Sequence, residues 1–346
     1  PLLESLAYDP VLAQCDLIAE AWDAGGLYQV GNFPSYGRWL EWNGKFRDAA
    51  RRFIKGDPGV VGEMVQRIMG SPDMYAAAGR KPTASINFIT CHDGFTLRDL
   101  FSYNEKHNLD NGENNNDGAN DNWSWNCGVE GETTDAEINA LRLRLQRNAI
   151  MLLFVSQGVP MLWMGDECGR TQRGNNNAYC QDEDWNWLDW SLSEENKGLY
   201  RFTRNMIAFR KANPALRQPE FMTSKDVIGS GYPDISWHGV QPWKPDWGLA
   251  SRSIAFMLCG RHGAAAGGPA HFIYCAFNMY YKPLEFALPV LPKGYVWFRV
   301  ADTSLNSPDD IVEPGQEVLL PGVKALTLAE RSSVILLGKP DPATSS

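Results

Sequence analysis

Short apolar runs alternate with helical periods over the first two thirds of the chain. Cys15-Asp16-Leu17-Ile18-Ala19 is a brief apolar run that stops at Glu20. Arg47–Lys55 and Val60–Met69 carry apolar residues at helical spacing and predict two helices. Ser85–Thr90 predicts a strand, ended by Cys91-His92-Asp93-Gly94. A long helix is expected from about Asp135 to Ser156, with Ile138, Leu141, Leu145 and Leu152 in register. Thr134 and Glu137 have capping-box spacing at its start. Val159–Met164 predicts the next strand, ended by Gly165-Asp166-Glu167, and Glu194–Lys211 a further helix stopped near Asn213-Pro214. Strand then helix, repeated, predicts parallel βα units, with acidic and polar residues just after the strands. In βα barrels that C-terminal rim holds the catalytic groups. A doubly wound sheet shares the alternation, but the closest approach to a phosphate loop, Gly169–Gly174, is followed by Asn175 where Lys is required.

After about Arg217 the texture changes. Runs at 253–258, 271–277, 295–300, 317–320 and 333–337 read as strands separated by Pro and Gly clusters, with no helical period between them. This predicts a small antiparallel β-sandwich. The boundary falls between Pro214 and Asp226, giving units of 1–217 and 218–346. A chain of 346 residues has room for both.

One segment fits neither pattern. Asn104–Asn126 holds nine Asn and three Asp, together with Trp123 and Trp125. A loop this long inside a domain is commonly functional, and two Trp argue against disorder. Its acidic ladder has no Gly at the place an EF-hand loop requires. It is expected to be an ordered rim loop facing a substrate, with the two Trp as stacking positions. The chain carries 32 basic and 41 acidic residues, net charge −9, without the basic stripe of a nucleic-acid binder. An acidic surface with 13 Trp, 12 Tyr and 15 Phe suits a neutral polyol, whose C–H faces stack on rings while its hydroxyls meet Asp, Asn and Glu. The longest apolar run, Ala149–Val155, is seven residues and cannot cross a membrane. Cysteines stand at 15, 91, 127, 168, 180, 259 and 275, with no CxxC pair. Neither a disulfide framework nor a metal site is expected, and no cofactor is called for.

The chemistry of a glycosidase needs one carboxyl protonated toward the leaving oxygen and another ionised. Glu20 and Asp93 both end predicted strands. By spacing alone each is equally a helix cap or an ion-pair partner. The words around them are more specific. Leu17–Gly31, including Ala19-Glu20-Ala21-Trp22-Asp23, and Ile86–Leu97, including His92-Asp93-Gly94, resemble the third and fourth conserved regions of the α-amylase family (glycoside hydrolase family 13). Trp39–Asp48, Asn111–Asn115, Ser124–Gly128 and Gly174–Asp182 resemble rim segments of its isoamylase-type debranching enzymes. The resemblance is dense up to about residue 215 and loose beyond.

It implies the second half of a (β/α)8 barrel, roughly strands five to eight, followed by the β-sandwich. It implies hydrolysis of α-1,6 branch points in glycogen or amylopectin with retention of configuration. Glu20 is then the general acid/base and Asp93 the second acidic residue, while His92 bonds the sugar at the cleavage subsite. Trp22, Trp42, Asn177, Gln181 and Asp182 are the further substrate contacts. The family's nucleophilic Asp lies on the strand before Glu20, and no matching word occurs here, so the chain reads as the C-terminal part of a longer enzyme. The expected partner is a branched α-glucan, with neither nucleic acid nor membrane, and self-association is possible. The expected compartment is the bacterial cytoplasm, or the plastid of a plant or alga. Two alternatives stay open: an α-1,4-acting relative, and a non-catalytic glucan-binding subunit.

Overall fold

The computed structural model describes residues 2–23, 25–262 and 270–344. Pro1 and Ala24, both inside segments discussed above, lie outside them. Four short strands form a wholly parallel sheet in the order β1 (Leu17–Ala19), β2 (Trp39–Trp42), β3 (Ser85–Asn87), β4 (Val159–Pro160). Strand β2 was not anticipated, because its four residues include Glu41, a charge at a position fully buried in the fold. The two expected strands are shorter than predicted. Pro160 has no amide hydrogen, and pairing beyond β4 is reduced to the Met161 amide on the Asn87 carbonyl at 2.7 Å. On β1, Ile18 remains 46% exposed, unusual for a parallel sheet, which is normally covered on both faces.

The helices are α1 (Leu2–Ala7), α2 (Gly44–Lys55), α3 (Val61–Ile68), α4 (Pro72–Tyr75), α5 (Leu97–Leu100), α6 (Ala136–Val155), α7 (Leu192–Glu195) and α8 (Lys197–Ala212). Helix α2 starts earlier than predicted because the buried Asn43 caps it, its Oδ1 accepting from the Phe46 amide at 2.9 Å. The Asn43 amide also donates to Ser71 and Ser85, tying the end of β2 to α4 and β3. The expected capping box of α6 is corrected. Asp135, not Thr134, is the N-cap, and its carboxylate accepts from the Glu137 and Ile138 amides. The single helix expected at 194–211 is two, parted at Asn196, whose non-helical backbone (φ −102°, ψ 32°) breaks the turn.

Beyond α8 the described residues hold β-strands and no α-helix. Strands β5 (Ile235–His238), β6 (Ser253–Cys259), β7 (Phe272–Asn278), β9 (Tyr295–Asp302), β10 (Val318–Leu320) and β12 (Ser332–Pro340) form an antiparallel sheet in the order β10-β9-β12-β7-β6-β5. Strands β8 (Leu284–Ala287) and β11 (Ala325–Leu328) pair with each other and pack on one face through Phe286, Leu328, Tyr274 and Leu336. The other face lies against the helices. Every residue of β7 is buried because both faces are covered. A single apolar core runs through Phe53 of α2, Phe154 of α6, Phe256 of β6 and Phe277 of β7. A polar seam crosses the same contact: Asn148 of α6 donates to the Arg331 carbonyl at 2.8 Å and accepts from Thr303 at 2.7 Å.

Candidate active site

Parallel strands deliver their C-terminal ends to one rim, and three of those ends carry the chemistry. Glu20 follows β1 directly, Trp42 closes β2, and His92-Asp93 lies just past β3. One donor atom from each of Glu20, His92 and Asp93 lies within 4.8 Å of the others. His92 Nε2 is 3.5 Å from Asp93 Oδ1, and the two side chains are 57% and 58% exposed, open to an incoming molecule. The trio could in principle hold a cation. A metal-bound His ordinarily gives its second ring nitrogen to an orienting partner, and among the described residues His92 has only the Asp93 contact and an aromatic neighbour.

An aromatic wall borders the trio. The Trp42 ring lies 5.7 Å from His92 and 5.6 Å from Phe88, Trp22 lies 6.5 Å from Trp42, and Tyr28 stacks on Trp22 at 6.0 Å. Tyr28 is half-exposed, and partial desolvation, followed by the charge of Asp48, raises the pKa of its phenol. Glu41, fully buried below, accepts from the Gly31 amide at 2.6 Å and pairs with Arg80. It thereby fixes the loop that carries Trp22 and Tyr28.

The Asn-rich loop is ordered and polar, as expected, but its side chains are largely engaged internally. Asn176 is buried, donates to Asn122 and Ala119, and takes Asn108 Nδ2 on its own oxygen at 2.8 Å. Asn177 gives its amide to Asp117 at 2.8 Å, Gln181 gives its own to Asn111 and the Asp110 carbonyl, and Asp182 accepts from Trp187. The structure thus brings Glu20, Asp93, His92, Trp42 and Trp22 together. It sets Asn177, Gln181 and Asp182 in the adjoining loop pair, joined to the trio's segment by the Gly94 amide on the Asn176 carbonyl at 2.9 Å. The stacking role expected of Trp125 is overturned, while the Trp123 ring stays partly exposed. Trp123 lies under Arg52 and Lys55 of α2, and Trp125 packs on the core beneath Arg331. Cations of α2 and of the turn before β12 take up their faces.

Sequence reasoning missed the groups underneath. Arg51 is buried and donates through Nε to the Ile89 carbonyl at 2.7 Å. Asp166, also buried, accepts from the Thr90 hydroxyl and from the Leu97 amide at 2.9 Å. Asp99, fully buried, accepts from the Thr171 hydroxyl at 2.5 Å and the Gln172 amide at 2.7 Å. Burial raises the Asp166 carboxyl to about 7 and the Asp99 carboxyl to about 6 against those hydrogen bonds. Asp166 carried a sequence signal as a strand-end acid. Arg51, within an ordinary helical run, and Asp99, in a stretch with no predicted element, carried none. All seven cysteines are unpaired, Cys15 and Cys180 exposed and the rest buried.

Residues 236–334 match the family model described as Isoamylase 1-3, C-terminal. The chain is 48% identical over 316 residues to the chloroplastic isoamylase SU1 of Zea mays, covering 91% of this chain and 38% of that protein. It is 46% identical over 341 residues to the chloroplastic isoamylase 3 of Oryza sativa, covering 98% and 41%. It is 47% identical over 308 residues to the glycogen operon protein GlgX homolog of Mycobacterium tuberculosis, covering 86% and 42%. The chain thus spans about two fifths of the length of these relatives. Among solved structures, the pullulanase of Bacillus acidopullulyticus superposes with a TM-score of 0.66 at 19% identity, covering 97% of this chain and 36% of that one. At that identity the likeness speaks for the fold alone.

Proposed function

The chain belongs to the isoamylase-type debranching enzymes of the α-amylase family, over their C-terminal portion, and from this we infer that the protein containing it hydrolyses α-1,6 branch linkages of glycogen- or amylopectin-type glucans. The observation that carries the reading is the convergence of Glu20, His92 and Asp93 at parallel strand ends beside the Trp22–Trp42 wall. Glu20 donates its proton to the glycosidic oxygen and later takes one from the attacking water. Asp93 bonds sugar hydroxyls and stabilises the positive charge that develops on the ring. His92 bonds the same sugar, and Trp42 and Trp22 stack on its neighbours. The carboxylate that forms the covalent glycosyl intermediate comes, in this reading, from sequence outside these 346 residues.

The four parallel strands are then the second half of a (β/α)8 barrel, residues 1–217, and the half-exposed Ile18 on β1 supports a further strand or layer covering that face. Residues 218–346 form the β-sandwich, which backs the helices and carries no catalytic group. No helix among the described residues is long and apolar enough to cross a membrane. The plant relatives are named as chloroplastic and others are bacterial, so a stroma or a bacterial cytoplasm is the compartment we favour.

The decisive experiment is Glu20→Gln in the full-length gene product. The swap keeps size and hydrogen bonding but removes the transferable proton. Turnover on glycogen should fall at least ~10²-fold with glucan binding retained. A variant within tenfold of wild type rules Glu20 out as the acid. A wild-type protein that binds glycogen without cleaving it shows a glucan-binding subunit instead.

A further inference from the structure

We propose that Asp166 and Asp99 form a reciprocal latch that sets the position of His92 and Asp93. The inference rests on the active-site reading above and assigns roles to two residues beneath it that do not reach the substrate.

The His92-Asp93 segment is irregular backbone between the end of β3 and the start of α5. It has no ladder of its own to fix its height above the sheet. One buried carboxylate supplies what the ladder lacks: Asp166 takes the Thr90 hydroxyl on one side of the segment and the Leu97 amide on the other. The two anchor points lie on either side of His92-Asp93, two residues before and four after, so the carboxylate closes the segment into a defined arch. The exchange is mutual. Asp166 comes from the loop after β4 and grips the segment after β3. Asp99 comes from α5, just after that segment, and grips the loop after β4 through Thr171, Gln172 and the more distant Gly174 amide. Neither loop can shift without breaking the other's carboxylate contacts. Arg51 below holds the Ile89 carbonyl, and the Gly94 amide on Asn176 limits movement at the crown. His92 and Asp93 are exposed themselves, and apart from the Trp42 ring beside His92 their aim at Glu20 depends on the arch.

Both are positioning residues. Displacing a catalytic group by about an ångström is enough to cost ~10²-fold in rate. Loss of the latch therefore belongs in turnover more than in glucan affinity, which the aromatic wall and remote sugars supply. In the full-length gene product, Asp166→Ala should lower kcat on glycogen by ten- to hundredfold per folded molecule, with KM within about threefold. Asp166→Asn can accept from the Leu97 amide and donate to Thr90, and should recover most of that loss. Thr90→Val removes one contact without opening a cavity and should give an intermediate drop in kcat. It decides the matter if the Ala variant does not fold. A purely structural role predicts otherwise: lower melting temperatures with kcat per folded molecule unchanged, for Ala and Val alike. That result overturns the latch. If wild type itself fails to cleave glycogen, the active-site reading falls first, and the two failures are told apart by that control.

Discussion

Replacing Asp166 by Asn should change how stability depends on pH, in a direction that burial dictates. In the folded chain the Asp166 carboxyl is raised from 3.8 to about 7, chiefly by desolvation, with Glu167 adding repulsion and Thr90, Leu97 and Arg170 opposing. A group whose folded pKa is raised favours folding while it is protonated. Its contribution is present in full below about pH 4 and is lost as pH rises through about 7. About three pKa units correspond to about 4 kcal/mol over that window, a slope of roughly −1.4 kcal/mol per pH unit at its centre. Asp99, raised to about 6, slopes the same way. Glu130, Asp117 and Glu317 are held below the usual carboxylate range by hydrogen bonds and slope oppositely at lower pH. Those terms are common to wild type and variant and cancel in the difference. Asn is a permanently neutral counterpart of the protonated acid. Between pH 4.5 and 6.5 the variant should therefore lose about 3 kcal/mol less stability than wild type. Urea unfolding at constant ionic strength, extrapolated to water at each pH, measures both curves. Parallel curves would refute the reasoning, because they would mean that Asp166 is ionised in the fold throughout.

Further outcomes follow from other contacts. Asp310→Ala should cost about 3–5 kcal/mol in thermal or urea unfolding, since it strands the guanidinium groups of Arg147 and Arg201 around a fully buried site. Glu20→Gln, by contrast, should leave the unfolding midpoint within about 0.5 kcal/mol of wild type, because Glu20 is exposed and holds no partner among the described residues. Asn176→Ala leaves the buried Asn108 and Asn122 amide groups short of a partner, and limited proteolysis should cut within 104–126 faster than in wild type. In the full-length gene product, glycogen and amylopectin should be hydrolysed faster than pullulan at matched branch-point concentration. Equal rates on pullulan would dismiss that preference, and Trp125→Ala should leave the ranking unchanged because Arg331 covers its ring.

Legibility in the sequence followed local periodicity. Helices α2, α3 and α6 and strands β6, β7, β9 and β12 carry patterns long enough to be seen, and each stands near its expected place. Strands β2, β5, β8 and β11 have four residues each, too few for alternation to register, and β2 buries the charged Glu41. Glu20, His92 and Asp93 were legible because strand-end chemistry and the words around them agree. Their mutual approach was not, since it depends on β2 lying between β1 and β3. The roles of Asp99 and Asp166 were not legible, because sequence shows a charge but not the donors folded around it. Trp125 of the Asn-rich loop misled for the converse reason. An aromatic ring in a polar loop looks free until a cation from a distant segment covers it.

Arg331 bears on how such proteins can exchange parts. From the turn before β12 it donates to the Lys55 carbonyl at the end of α2, at 2.5 Å, and lies over Trp125. Its own carbonyl accepts from Asn148. One residue near the end of the chain thus closes three elements encoded far upstream. A recombination point in the connection after α8 looks harmless on a linear map, because it falls in a loop. Yet it would hand the upstream elements a foreign Arg331, Thr303 and Asp310 environment all at once. Chimeras between relatives should tolerate that crossover only when α2, α6 and the β-sheets descend from the same parent, and functional hybrids should inherit those segments as a block.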